Sequence, residues 1–230
     1  MQLSPTLTLN NGAQMPLLGL GTSKCDPEKL VAAVRCAIDC GYRLFDCAFR
    51  YGNQRAVGRA IREKIDDGTV TREELFITSK LWRSFHDAEH MDECMDATLD
   101  ELGLGYVDLF LMHFPQAGKY AGTRDYYLCD RRGRVVTDER LDYVDTWRLM
   151  QKFTEDGRAR MLGVSNFNAF QMERLLRECS SVKPPVVNQI EVNQLVLVFR
   201  CGWCLQWLRG RGFFEWFSKC LGYEVTGQIW

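Results

Sequence analysis

The sequence predicts an α/β fold, a (β/α)8 barrel of which about six of the eight strand-helix units are recognisable. Three observations carry that prediction. Short apolar runs alternate along the chain with segments whose apolar residues recur at helical spacing. The runs LFIT, VDLFLM and VVNQIEV are too continuous for a sheet with one wet face, so the strands are parallel and covered by helices. Finally, polar residues close one strand after another: Asp46, Lys80, His113 and Ser165-Asn166, with Gln189 inside the next. A doubly wound sheet instead gathers its ligands at one switch point and commonly carries a Gly-rich phosphate turn, which GLGTSK does not match. Functional groups spread over consecutive strand ends fit a barrel.

Each element has a local reason. TLTLNNGAQMPLL alternates around Asn-Asn-Gly and predicts a hairpin ahead of the main fold. Leu17 to Leu20 is a short strand, after which Asp26-Pro27-Glu28 opens a helix with a cap, a first-turn proline and an early acid. Leu30, Val34, Ala37 and Ile38 give that helix its apolar face, and Gly41 closes it. The unit then repeats: strand 43–46 and helix 53–66, strand 75–79 and helix 87–102, strand 107–112, a long loop and helix 142–156. Strand 161–164, helix 168–179 and strand 186–192 complete the regular part.

Composition narrows the partners. With 29 Lys and Arg against 30 Asp and Glu in 230 residues, no net field draws the chain to nucleic acid or an anionic membrane, and a small neutral molecule is the expected partner. The ten cysteines are spread through a chain too large to need a disulfide scaffold, and MQLSPTLTLN lacks a secretory pattern. They read as reduced thiols of a cytoplasmic protein. Cys36 and Cys40 share a predicted helix, and Cys201-Gly-Trp-Cys204 is a lone CxxC without a partner pair at zinc spacing, so no metal is expected. No apolar run reaches the roughly 18 residues of a membrane span.

The strand ends suggest a reaction. An ionised Asp46 at a barrel mouth needs a partner, and Lys80 in FITSK supplies one. Tyr51, five residues beyond Asp46, then lies near an ammonium that favours its phenolate, so its pKa is expected to fall and to make it a proton donor near neutral pH. His113 is expected at the same mouth as a neutral ring that donates to a carbonyl oxygen. This set contains an acid, its tuner, a counter-ion and a carbonyl orienter, but no nucleophile, and suits reduction or isomerisation rather than hydrolysis. Reduction needs a hydride source, and Ser165, Asn166 and Gln189 carry the hydroxyl and amide groups that bind a nicotinamide carboxamide.

The segments GYRLFDCAFRYGNQRAVG (41–58), ITSKLW (77–82), VDLFLMHFP (107–115), MLGVSNF (161–167) and PVVNQIEV (185–192) resemble, in order, the aldo-keto reductase superfamily, in the branch of aldose, aldehyde and hydroxysteroid reductases. The likeness runs from about Leu9 to Val192. It implies a (β/α)8 barrel that uses NADPH to reduce aldehydes and ketones to alcohols, with Tyr51 as general acid, Lys80 and Asp46 tuning it, and His113 orienting the carbonyl. It also implies that Thr22, Asp46, Ser165, Asn166 and Gln189 contact the cofactor, that Trp82 and Phe114 wall the substrate pocket, and that the folded chain is a monomer.

Two departures qualify what the resemblance implies. After GLGT stands Ser23, where related reductases often place a bulky aromatic, so the pocket is expected to be wider or more polar there. From Asn193 the family pattern stops. The chain therefore divides into 1–192, a partial reductase barrel, and 193–230, a divergent tail that holds four of the six Trp. Six strands leave two open edges, with LVLVF a candidate seventh strand and FFEWF a candidate short helix. Arg209 and Arg211 are the nearest candidates for the missing phosphate grip. The alternative to an enzyme is a catalytically inactive truncated isoform or interaction module that does not bind NADPH tightly.

Overall fold

A computed structural model describes residues 5–120, 122 and 128–191, together with the backbone of 214–218 and 228–229. Its first element is the expected hairpin: β1 (Thr6–Thr8) and β2 (Gln14–Pro16) pair antiparallel with Leu7 opposite Met15, and the turn closes through Gly12 at φ 84°. Six parallel strands follow, β3 (Gly19–Gly21), β4 (Leu44–Asp46), β5 (Phe76–Leu81), β6 (Val107–Met112), β7 (Ala159–Ser165) and β8 (Val187–Glu191), each paired with the next. They form a half-barrel of the (β/α)8 kind with helices on the outside.

The helices form where caps and spacing predict. In α1 (Pro27–Asp39), Asp26 accepts from the backbone N–H of Glu28 and Lys29 at 3.1 Å each, and Leu30, Val34 and Ile38 are buried. Gly41 ends it at φ 94°, a conformation costly for any residue with a Cβ. In α2 (Gln54–Asp66) the buried stripe is Val57, Ala60 and Ile61. The next helix begins later than residue 87: Asp87 accepts from the N–H of Glu89 and of His90 and holds a turn, so α3 spans Met91–Leu102. The helix expected over 142–156 divides at Gln151 into α4 (Tyr143–Met150) and α5 (Lys152–Glu155), and α6 is Ala169–Glu178 with an Asn168–Gln171 capping box.

Strand alternation sorts the core into two parts. Phe45, Ile77, Leu81, Phe110, Met112, Leu162 and Val164 face the helices, where they meet Leu30, Val57, Met95, Trp147 and Leu175. Leu44, Phe76, Leu109, Leu111, Met161 and Val187 face inward and pack with Leu9 and Met15 of the hairpin, which plugs the N-terminal end of the sheet. Asp108 belongs to the outward set and is buried without being orphaned, since it accepts from Ile77 N–H at 2.8 Å, Arg72 at 2.8 Å and Arg160 at 3.1 Å.

The edges of the six-stranded unit differ from expectation. The last four residues of FFEWF, with Ser218, form a strand, β9 (Phe214–Ser218), parallel to β8, rather than a short helix. A further strand, β10 (Gln228–Ile229), pairs antiparallel with β3. Both edges that were expected to be open therefore carry a backbone partner, as the hydrogen-bonding demand of an unpaired strand favours. LVLVF, the Cys201/Cys204 pair, Arg209 and Arg211 lie outside the described residues. Among those described, no helix is long and apolar enough to cross a membrane, and no group of three or more His, Cys, Asp or Glu is placed to hold a metal ion.

Candidate active site

Period-two geometry places the sequence-predicted residues. Side chains on one face of a strand recur every second residue, so Asp46 shares the inward face of Leu44, Lys80 that of Phe76, and His113 that of Leu111. By the same count Ser165 follows Met161, and Gln189 follows Val187. The sheet register sets neighbours side by side, with Lys80 opposite Leu111 and Ser165 opposite Gln189. All five stand at or beside the C-terminal ends of parallel strands, on one rim.

Tyr51 reaches that rim from a tight turn. After β4 the chain makes a 3-10 turn over Phe49–Tyr51 that ends at Gly52, φ 66°, and this folds the phenol back toward the strand it has just left. Lys80 Nζ donates to Asp46 Oδ1 at 2.5 Å and to the Cys47 carbonyl at 3.0 Å, and lies 3.1 Å from the Tyr51 hydroxyl. The Lys80 and Asp46 side chains are each 2% exposed. Burial strips water from the ammonium, but Asp46 and Tyr51 outweigh that loss and raise the Lys80 pKa, so the charge persists at neutral pH. Burial pushes Asp46 up as well, opposed by Lys80 and by Gln189.

Tyr51 corrects the expectation drawn from sequence. Its pKa is pushed up to about 12: burial is the larger effect and Asp46 adds to it, while Lys80 pulls the other way without prevailing. The contact was legible in the sequence, whereas the depth of burial was not. At neutral pH the phenol is fully protonated, with an ammonium beside it to receive the negative charge left by a departing proton.

His113 stands across from this group. Its ring lies 6.0 Å from that of Tyr51 and 5.2 Å from that of Trp82, both edge-on, and stacks on Phe114 at 5.0 Å. Burial, then the charges of Lys80 and Arg50, hold its pKa well below the usual histidine range, so the imidazole is neutral. Its Nδ1 has no hydrogen-bond partner. Trp82 and Phe114 meet edge-on at 5.9 Å and with His113 build an aromatic wall.

The remaining polar residues line the rim to either side. Thr22 donates from Oγ1 to the Asp46 carbonyl at 2.9 Å. Ser165 Oγ donates to the Gln189 carbonyl at 2.8 Å, and Asn166 Nδ2 donates to the His113 carbonyl at 2.9 Å and to Ser165 Oγ at 3.1 Å. Asn166 sits at φ 62°, a left-handed conformation that Asn tolerates better than most residues and that turns its amide across the rim. Gln189 is buried near Asp46, yet neither atom of its amide has a hydrogen-bond partner of normal geometry. An amide held this loosely, beside the hydroxyl of Ser165 and the amide of Asn166, has the donor and acceptor chemistry that could pair with the carboxamide of a nicotinamide.

Sequence reading missed three contributors. Asn53 is buried and donates to the carbonyls of Thr22, at 2.7 Å, and Cys25, at 3.3 Å, so it ties the β3 loop to the Tyr51 turn. Gln54 accepts from Ser79 Oγ at 2.7 Å and donates to Glu101 at 3.0 Å, bracing β5 on the face opposite Lys80. The third is Arg50, half-buried beside Tyr51 with its guanidinium carbon 5.8 Å from the Trp82 ring centroid. Its signal was visible, as the one basic residue in the run FDCAFRYG. A separate cavity of about 480 Å³ lies at the N-terminal end, lined by Gln14, Glu74, Phe76, Asp108 and Arg160, and shares no residue with the rim.

An inward Asp, Lys and His at successive strand ends, with a tyrosine on the turn between the first two, define a barrel enzyme scaffold rather than a doubly wound one. The chain belongs to the aldo/keto reductase family, whose model matches residues 16–209, and within it to the aldose and hydroxysteroid reductase branch. It is 42% identical over 194 residues to a 3-alpha-hydroxysteroid dehydrogenase of Rattus norvegicus, covering 83% of this chain and 59% of that protein. It is 41% identical over 190 residues to an NADPH-dependent D-xylose reductase of Meyerozyma guilliermondii, covering 81% of this chain and 59% of that one. A solved aldose reductase of Schistosoma japonicum superposes with a TM-score of 0.84 at 34% identity over 92% of this chain and 67% of its own. The chain thus spans about 59% of the length of these curated relatives.

Proposed function

We propose that this chain carries the site of an NADPH-dependent aldo-keto reductase, converting an aldehyde or ketone to an alcohol, with residues 1–192 as the reductase half-barrel. The single observation that supports this reading best is the Tyr51 hydroxyl 3.1 Å from Lys80 Nζ on the same rim as a neutral His113. Thr22, Asp46, Ser165, Asn166 and Gln189 would hold the cofactor, the amide of Gln189 answering the carboxamide. When bound, NADPH supplies the hydride that no side chain of the protein can. The protein's own residues manage the oxygen. His113 donates a hydrogen bond to the carbonyl and orients it toward the phenol. Tyr51 gives its proton to that oxygen as negative charge develops there, and Lys80 stabilises the phenolate left behind. Asp46 keeps Lys80 charged and in place. Trp82 and Phe114 exclude water and supply apolar surface for the rest of the substrate. The carbonyl oxygen would take the Tyr51 proton and become the alcohol hydroxyl, and Tyr51 would regain its proton from solvent.

Ligand-induced thermal shift tests the reading directly. Saturating NADPH should raise the unfolding midpoint of the 230-residue chain, by mass action on the folded state, and should quench tryptophan fluorescence. Tyr51→Phe should preserve the shift and abolish turnover, a loss of about 10² to 10⁴-fold for a placed general acid. A chain that melts cooperatively but shows neither shift nor turnover would favour the non-catalytic interaction module instead.

A further inference from the structure

We infer that a cavity at the N-terminal end of the half-barrel, at the opposite end of the strands from Tyr51 and His113, binds a small organic anion. Its charged head meets Arg160 and Lys183, and its apolar body rests on residues of β7 and the start of β8.

The Arg160 guanidinium is held in place by the protein itself. It stacks on the Tyr106 ring, 4.1 Å from the centroid, and donates from Nη1 to Asp108 at 3.1 Å. Asp108 is buried and also accepts from Arg72 at 2.8 Å, and Arg72 packs on the same ring at 3.9 Å. One carboxylate therefore answers two guanidinium groups and leaves a positive charge over. Arg72 directs further donors to the carbonyls of Leu75 and Tyr106, at 3.0 Å each. Among the described residues, half-exposed Arg160 makes only the one hydrogen bond to Asp108, so the rest of its fork is open. A guanidinium fixed by stacking, with donors to spare, is pre-organised for the oxygens of a carboxylate or phosphate.

The cavities on either side of Arg160 differ in charge. Both are lined by Asn11, Arg160 and Met161. The one of about 480 Å³ adds Glu73, Glu74 and Asp108, which repel an anion. The other, of about 420 Å³, adds Lys183 and, among the described residues, no acid. That volume is within the range of small-molecule sites. Gln151 and Thr154 supply neutral polar groups there, and Met161, Leu162 and Val186 supply apolar surface. The hairpin turn closes the cavity from outside and is tied down by Asn10 Nδ2 donating to the Pro185 carbonyl at 3.1 Å. An inorganic ion would leave the apolar lining unused, whereas an anion with an apolar body matches both halves. Five residues of β7 separate Arg160 from Ser165 on the catalytic rim, roughly 16 Å of extended chain. The two sites are therefore distinct, and this one does not rest on the reductase reading.

Calorimetry on the 230-residue chain without cofactor tests the inference. Benzoate and phenyl phosphate are the probes, benzamide is the neutral control with the same ring, and inorganic phosphate is the anion without an apolar body. Benzoate or phenyl phosphate should bind with a Kd of about 0.1 to 1 mM, about 10-fold or more tighter than either control, and the tighter of the two identifies the head group. Arg160→Leu should weaken that binding by about 10- to 100-fold, the span of a hydrogen bond to a charged group. Because Arg160 also supports Asp108, a second variant is needed: Lys183→Glu alters an exposed side chain and should weaken binding by about 3- to 10-fold. Arg134→Leu, a surface arginine elsewhere, should change nothing. The inference is overturned by the absence of saturable binding, by inorganic phosphate binding as tightly as the ring-bearing anions, or by binding that Lys183→Glu leaves intact.

Discussion

Replacing Lys80 by Met removes the ammonium that joins Asp46 to Tyr51 while keeping an unbranched side chain of similar length. At 2.5 Å and an effective dielectric of about 20, the Lys80–Asp46 attraction is about 7 kcal/mol before either ion's lost hydration is counted. Desolvation cancels much of that, so the pair as a whole stabilises far less than its Coulomb energy. The single substitution is a different matter. It strands a buried carboxylate, and the expected loss is about 3 to 5 kcal/mol out of a domain stability of about 5 to 15 kcal/mol. Converting the stranded group to an amide in the double variant Lys80→Met/Asp46→Asn should recover about 1 to 3 kcal/mol. Equilibrium urea unfolding of the three proteins measures each quantity. The pH dependence has a definite sign. Burial already raises Asp46, and loss of Lys80 raises it further. A carboxyl raised above its unfolded value of about 3.9 contributes most below that pH, and the contribution is lost as pH climbs through the folded pKa. Lys80→Met should therefore be at its most stable in acid relative to the double variant and fall behind toward neutrality. If the single and double variants unfold at the same midpoint at neutral pH, the pair is not the buried ion pair described above.

Two further outcomes follow from other parts of the rim and its support. Gly58 on α2 lies against the end of α3, where an added Cβ would fall 2.2 Å from the Leu102 carbonyl oxygen; Gly58→Ala should therefore destabilise by about 1 to 3 kcal/mol by overpacking, against the roughly 1 kcal/mol gain expected of an exposed helix. A gain in thermal midpoint would show that α2 and α3 are not in backbone contact. Phenolate absorbance of the unaltered chain minus Tyr51→Phe should stay silent through pH 10 and develop only toward 12, since burial favours the protonated phenol; the stability that phenol contributes is present below 10 and lost as pH rises through the folded value. A difference signal appearing below pH 10 would mean that Lys80 prevails over burial.

Much of the fold was legible because its signals are local. Asp26-Pro27, the apolar stripe Leu30–Val34–Ile38 and Gly41 each specify one feature of α1, and each does so without reference to the rest of the chain. What sequence misplaced was decided by contacts between neighbours. Asp87 diverts two backbone N–H groups into a turn and delays α3 to Met91, although the residues 87–90 show no breaker. FFEWF has the apolar spacing of a short helix, but the unsatisfied edge of β8 offers five residues a ladder of backbone hydrogen bonds, and an edge is a tertiary property that no window of sequence displays.

The rim divides along the same line. Which residues meet was readable, since Asp46, Lys80, His113 and Gln189 each end or near the end of an apolar run, and period-two alternation sends all of them inward. What they do electrostatically was not, because a pKa is the difference between two large opposing effects. Lys80 lowers that of Tyr51 as the sequence suggests, but a phenol buried at the end of the 3-10 turn and beside His113 loses more hydration than one ammonium 3.1 Å away restores. The sign of that balance suits the proposed reductase. A phenol already ionised at neutral pH would have no proton to give, whereas one held protonated beside a persistent ammonium can wait until the carbonyl oxygen becomes basic and release its proton only then. Burial, and after it the charges of Lys80 and Arg50, act on the neighbouring ring in the same sense and hold His113 neutral, as the proposed donation to a carbonyl oxygen requires.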